Sequence, residues 1–182
     1  FETTKKQFEA AQVLEEKGDE LKDQRRKLKK MVRQDFEERS ETLKKAILYF
    51  EEVSGALYPE VGSLIFNDSD NGPTVEVKIQ GKSSKGITNM RIFCFDMMMM
   101  RICRERGFGI DFLVHDSHLF DGVDERQIAK AIEYGKKASE QFGFQYIITM
   151  NEDTIPYDLF NKDFKFEDYV LPVTLTDRAE DG

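Results

Sequence analysis

The chain has little cysteine, little histidine, no long uninterrupted apolar run and a deficit of positive charge, and each shortage excludes something. Its two cysteines, Cys94 and Cys103, fall in one apolar stretch. Nine residues turn an α-helix through about 900° and advance it about 13 Å, so the thiols face opposite sides and cannot bridge within that helix. Buried, reduced thiols fit a cytoplasmic protein. The most apolar stretch, Ile87 to Cys103, is broken by Arg91, Asp96 and Arg101, which argues against a membrane span, and no signal-peptide pattern is visible. With 27 Lys and Arg against 35 Asp and Glu, the formal net charge is −8. Such a surface is too acidic to grip nucleic acid over its whole extent. One basic run, Lys22 to Lys30, reads as the solvated face of a charged helix.

What is present divides unevenly. At 40% hydrophobic and 34% charged, 182 residues suit one globular domain with a solvated appendage. Residues 1–58 predict a long helical arm. Leu14, Leu21 and Leu28 recur at seven, and after a shift of phase Phe36, Leu43, Phe50 and Leu57 do the same. A seam this narrow forms no domain core and calls for a partner helix, as in a coiled coil. Tyr58-Pro59 closes the arm, because the residue before proline disfavours helix.

Residues 59–182 predict an α/β domain. Ser63 to Asn67 and Thr74 to Gln80 read as a hairpin around the turn cluster Asp68 to Pro73, the second strand alternating Val75, Val77 and Ile79 with Glu76, Lys78 and Gln80. A helix from Ile87 to Arg106, apolar on nearly all sides, belongs at the centre of a core. Then come a strand from Ile110 to Val114, a helix from Glu125 to Phe142, a strand from Gln145 to Thr149 and a final strand around Tyr169 to Leu175. The apolar runs predict parallel strands buried on both faces. The chain opens on Phe1 in mid-helix pattern and closes on Arg178 to Gly182 without a final element, so both ends read as cut.

A Walker A phosphate loop is also missing. Gly81-Lys82-Ser83 carries the last three residues of that pattern, but the glycine required five positions earlier is Glu76, inside an expected strand. Ser84-Lys85-Gly86 opens the apolar helix. A serine hydroxyl, a glycine and the free N–H groups of a first turn offer donors to an anion, with a plain serine N-cap as the alternative.

Both histidines lie in His115-Asp116-Ser117-His118, after an apolar strand. A carboxylate at the C-terminal end of a buried strand is where an α/β sheet meets ligands and Mg²⁺. His-x-x-His raises a zinc or hydrolytic metal site from His115, Asp116 and His118. Against it, positions one and four of a turning chain share no face, and no cysteine accompanies them. Asp124 is placed to N-cap the helix from Glu125, and Asp121 and Asp124 are both free to face a ligand on a partner.

Taken in order, these features resemble a known family. The long coiled-coil arm, Ser84-x-Gly86 opening an apolar helix, a hydrophobic strand ending in Asp116, an Asp-rich turn, a helix and Gln145-Tyr146-Ile147-Ile148-Thr149 resemble the C-terminal lobe of the structural-maintenance-of-chromosomes (SMC) class of ATP-binding-cassette (ABC) ATPases. More narrowly, Ser84 to Asp96 and Phe112 to Gln127 resemble an uncharacterised bacterial domain of unknown function found at the C-terminus of such coiled-coil ATPases.

The resemblance implies an α/β ABC/SMC-type lobe with a partly parallel sheet and flanking helices. In it Ser84 and Gly86, flanking Lys85, form the signature that contacts the γ-phosphate of ATP held by an opposing subunit. Asp116 is the Walker B aspartate that orders Mg²⁺ through its water. Asp121 or Asp124 is the D-loop aspartate, and Asn151 stands where many relatives carry the switch histidine. ATP and Mg²⁺ bind only together with an N-terminal lobe bearing Walker A. The implied partners are that lobe, a second copy through heads and coiled coil, and DNA, in the cytoplasm and without a membrane.

Two positions depart from the pattern. Ser117 replaces the glutamate that activates the attacking water, so either hydrolysis is slow or His118 or Asp121 substitutes. Ile87 replaces the usual acidic residue after the signature glycine. The alternative from another class is a non-catalytic coiled-coil dimerisation and protein-interaction module.

Overall fold

The computed structural model describes residues 2–69, 72–79 and 84–172; for residues 2–4, 6–10 and 68 it describes the backbone alone. The chain is mixed α/β, with a small antiparallel and a small parallel sheet. It divides into two compact units, one of residues 1–45 with 65–76 and one of residues 46–64 with 77–182.

In the first unit, helix α1 (Glu2–Glu38) is followed after one residue by helix α2 (Ser40–Leu57). Arg39 still donates to the Asp35 carbonyl (3.0 Å) and accepts from Leu43 N–H (3.1 Å), so the helical ladder carries through. Ion pairs one turn apart line the exposed surface, Asp19 with Lys22 (2.8 Å) and Asp35 with Arg39 (2.9 Å) among them. Leu14, Leu21 and Leu28 are exposed. Phe36 is covered not by a second helix but by strand β1 (Ser63–Ser69), whose Phe66 ring meets it edge-on at 6.2 Å. Strand β2 (Gly72–Lys78) completes the hairpin, and Asp70 and Asn71 of the expected turn lie outside the described residues.

In the second unit, the C-terminal turns of α2 bury Ala46, Phe50, Val53 and Leu57. Around them pack α3 (Lys85–Glu105), with Met90, Phe93, Cys94, Met97 and Met98 inside, and α4 (Glu125–Phe142), with Ile128, Ala131, Ile132 and Ala138 inside. Arg101 of α3 joins them. Its guanidinium lies 3.6 Å from the Tyr49 ring centre and pairs with Glu52 at 2.7 Å. Lys130 of α4 caps α2 by donating to the Leu57 carbonyl at 3.2 Å. The Cys94 thiol is buried and unpaired, and burial pushes its pKa up.

Strands β3 (Phe112–His115) and β4 (Gln145–Ile148) pair in parallel, Phe112 opposite Gln145 and His115 opposite Ile148. Leu113, His115, Tyr146 and Ile148 therefore share the face toward α3 and α4. Tyr146 lies directly on α4, where a Cβ at Gly135 would come within 2.1 Å of its ring.

Three expectations are corrected. The strands are not buried on both faces. Phe112 (56%) and Val114 (49%) are exposed, because the helices cover only the opposite face. The alternation of β2 buries only Ile79, just past the strand, and leaves Val75 exposed. Residues 169–172 form no strand either. Tyr169 ends a 3₁₀ turn (Phe166–Tyr169), Val170 N–H is spent locally on the Glu167 carbonyl, and Pro172 has no N–H for a ladder. Residues 173–175 lie outside the described residues. The segment before them is held by aromatic stacking, Phe160 on Phe166 and Phe164 on Tyr169, and by Glu133 accepting from the Asn161 backbone and side chain.

Candidate functional site

The N-terminal turn of α3 meets the turn that follows β3. Ser84 is the N-cap, extended at φ −127° and ψ 162°, and its Oγ accepts from Ile87 N–H at 3.3 Å. Gly86 is required by contact. A Cβ there would come within 2.1 Å of the Gly122 carbonyl oxygen and 2.9 Å of Val123 Cα, so only glycine lets the helix seat on this turn. The turn itself uses Gly122 in the left-handed region, φ 70°. Gly81-Lys82-Ser83 lies outside the described residues.

Side chains reinforce this seat. Lys85 Nζ lies 3.0 Å from Asp121 Oδ2, and His118 Nδ1 lies 3.2 Å from the same oxygen. These two hydrogen bonds, Lys85 first, hold the exposed Asp121 carboxyl below the usual carboxylate range. Since a carboxylate only accepts, His118 Nδ1 carries the hydrogen, which in the neutral ring leaves Nε2 as the acceptor. Asn89, one turn further along α3, donates to the His118 carbonyl (2.9 Å) and the Asp121 carbonyl (3.1 Å).

Asp116 stands at the end of β3 and starts a 3₁₀ turn, Ser117–Phe120. Its Oδ1 accepts from His118 N–H at 3.1 Å, while the residue as a whole is exposed. Ser117 is half-buried in that turn. Asp124 caps α4, accepting from Arg126 N–H and from the Arg126 guanidinium at 2.9 and 3.0 Å. The guanidinium bond lowers its pKa, against a smaller opposing effect of burial. Of the two candidate aspartates, Asp124 is thus engaged with α4, and Asp121 faces the start of α3.

Asn151 follows β4 by three residues. It is exposed and heads a 3₁₀ turn (Glu152–Thr154) without a side-chain cap bond. A hollow of about 370 Å³ is lined by Asn89, Ile92, Asp96, Val114, His115, Asp116, His118 and Leu119. It draws in Asp116 and His118, but not Ser84, Ser117 or Asn151.

Sequence reasoning named His115 only as a metal candidate and missed its partners, Asp96 and Tyr146. His115 is buried (6%) between the Phe93 and Tyr146 rings. Its Nε2 lies 3.2 Å from Asp96 Oδ2 and its Nδ1 lies 2.9 Å from the Tyr146 hydroxyl. The carboxylate can only accept, so Nε2 carries a hydrogen, and in the neutral ring Nδ1 then accepts from the hydroxyl. Burial, and after it the Asp96 charge, raises the Tyr146 pKa and keeps that hydroxyl protonated. The available signal was Asp96 itself, a carboxylate inside an apolar helix that needs a buried partner.

His118, by contrast, has an 85% exposed side chain and serves Asp121. The two imidazoles are engaged in separate networks, whereas a zinc site needs them on one ion. Among the described residues no group of three or more His, Cys, Asp or Glu is arranged to hold a metal. The donor set does fit Mg²⁺ shared with a ligand. That ion takes one or two carboxylates and fills its sphere with phosphate oxygens and water, and Asp116 offers one exposed carboxylate beside the hollow.

A family model described as an uncharacterised protein conserved in bacteria (DUF2326) matches residues 53–182, well over half of the chain. The chain belongs to DUF2326. No curated protein matches it, and no solved structure does. The DUF2326 match begins in the last turns of α2 and takes in every site residue from Ser84 to Asn151, while Leu14, Leu21 and Leu28 lie before it. The expected membership of an uncharacterised bacterial family therefore holds. The DUF2326 description names no activity. Among the described residues no helix is long and apolar enough to cross a membrane.

Proposed function

We propose that this chain is the C-terminal half of an SMC-like ATPase head. It supplies signature, Walker B, D-loop and switch elements to a cytoplasmic dimer that sandwiches ATP and rearranges coiled coils, with DNA as the client. One observation carries the reading. The start of α3, with Ser84 and Gly86, is seated on the turn that follows Asp116 at the end of a strand in a parallel pair. Two elements far apart in sequence thereby form one edge, from which the chain would offer Asp116 to the ATP of its own head and Ser84 to the ATP of the opposing head.

On this reading Asp116 would hold Mg²⁺ in the company of ATP phosphates, and Ser84 with the first N–H groups of α3 would address the γ-phosphate bound by the opposing head. Asp121, beside Lys85, is the D-loop aspartate. Mg²⁺ when bound would neutralise charge between the phosphates. The chain's own residues position it and orient water. His118, turned by Asp121 so that Nε2 is free to accept, takes the place of the glutamate absent at Ser117. No phosphate cradle stands among the described residues, so ATP binding depends on a lobe bearing Walker A.

The test uses the protein together with that lobe. Ser84→Arg is expected to keep ATP binding and to lose ATP-dependent dimerisation in size-exclusion chromatography. Dimers that form as before would remove the signature assignment. A second reading, a non-catalytic interaction module, is favoured by the uncovered apolar face at Phe112 and Val114 and by the open seam of α1.

A further inference from the structure

Asn89 and Asp96 are seven residues apart on α3. Seven residues turn a helix through about 700° and advance it about 10.5 Å, so the two side chains lie on one face, two turns apart. Both line the same hollow as Asp116. Asn89 grips the chain just after Asp116, through the His118 and Asp121 carbonyls. Asp96 grips it just before Asp116, through His115, whose other ring nitrogen is tied to Tyr146 of β4.

We infer that α3 is a ruler that fixes the Asp116 carboxylate between two grips, with Asn89, Asp96 and His115 as its positioning residues. The Asp96 carboxylate stays a third in water, so its bond with the His115 ring is modest in net stability, and stability alone gives weak reason for the arrangement. What the network adds is a fixed geometry that each member specifies for the others. His115 and Ser54 are the buried polar side chains among the described residues. Ser54 serves backbone groups, accepting from Gly62 N–H at 2.9 Å, whereas His115 links three elements. Because α3 begins at the Ser84 cap, a shift of that helix along its axis moves both grips together and carries Asp116 with them.

The bearing of this clamp on turnover rests on the ATPase reading. Its geometry is tested without nucleotide, so the two fail separately. Exchange of the His118 amide hydrogen, which bonds Asp116 Oδ1, reads the carboxylate directly. Asn89→Leu and Asp96→Leu are each expected to speed that exchange about tenfold while Ile132 and Ala138 inside α4 exchange as before. Asp96→Asn keeps an oxygen acceptor for His115 Nε2 and should keep the native rate. Tyr146→Phe replaces Asp96→Leu if the latter does not fold, with acceleration expected again. Unchanged His118 exchange, acceleration shared equally by α4, or an Asp96→Asn protein that behaves like Asp96→Leu would each overturn the inference.

Discussion

Leu21 and Phe50 lie on helical stripes with the same seven-residue repeat, yet Leu21 is 64% exposed and Phe50 is 0% exposed. The difference lies in the width of the stripe. Around Leu14, Leu21 and Leu28 the neighbouring turns carry Glu15, Glu16, Lys17, Lys22 and Lys29, leaving a single row of leucines between charges. Around Phe50 and Leu57 the same face gains Ala46, Val53 and the small buried Ser54. A wider stripe can be enclosed by several elements, while a single row suits one partner helix. A repeat of seven therefore announces a helix and a face without saying what covers it.

The comparison would break first at Phe50. Phe50→Ala should cost about 3–5 kcal/mol, read as a lower urea midpoint, because it empties a fully enclosed position. A loss under about 1 kcal/mol would mean that this stripe is no more enclosed than the other. Leu21→Ala sharpens the contrast from the opposite side. Stability should change by no more than about 0.5 kcal/mol, while any self-association through the open row weakens in sedimentation. Association that survives the substitution would favour a contact elsewhere, the Phe112 and Val114 face being the next candidate.

A smaller effect probes the charged end of α4. The Asp124 pKa is lowered from 3.8 in the folded chain, chiefly by its bond with Arg126. The stability it adds is therefore complete above the unfolded value and is lost as pH falls through the lower folded value. Asp124→Asn keeps the cap but cannot titrate, so the small advantage of the natural chain in thermal midpoint should vanish in acid well below pH 3.8. A difference that persists there would assign the effect to packing.

Much of the architecture was legible because its signals are local. Helix α4 matches its expected bounds, Glu125 to Phe142, since Asp124 caps one end and Gly143, left-handed at φ 68°, closes the other. The parallel pairing of β3 with β4 also followed from two apolar runs joined by a helix. What escaped was set by neighbours distant in sequence. Nothing near Phe112 or Val114 announces that one face of the pair is left open. Nothing near Phe36 announces that Phe66 meets it. In the candidate site, order and chemistry single out Ser84, Gly86 and Asp116, but Asn89, Asp96 and Tyr146 join it only through contacts made by folding. In the sequence Asp96 is merely a break in an apolar stretch.

Gly135 and Tyr146 cannot be altered independently. The Tyr146 ring fills the volume that any side chain at 135 would need. A methyl group at 135 would displace that ring, and with it the hydroxyl that steadies His115. A chemically silent helix position is thereby tied to the strand end where Asp116 stands.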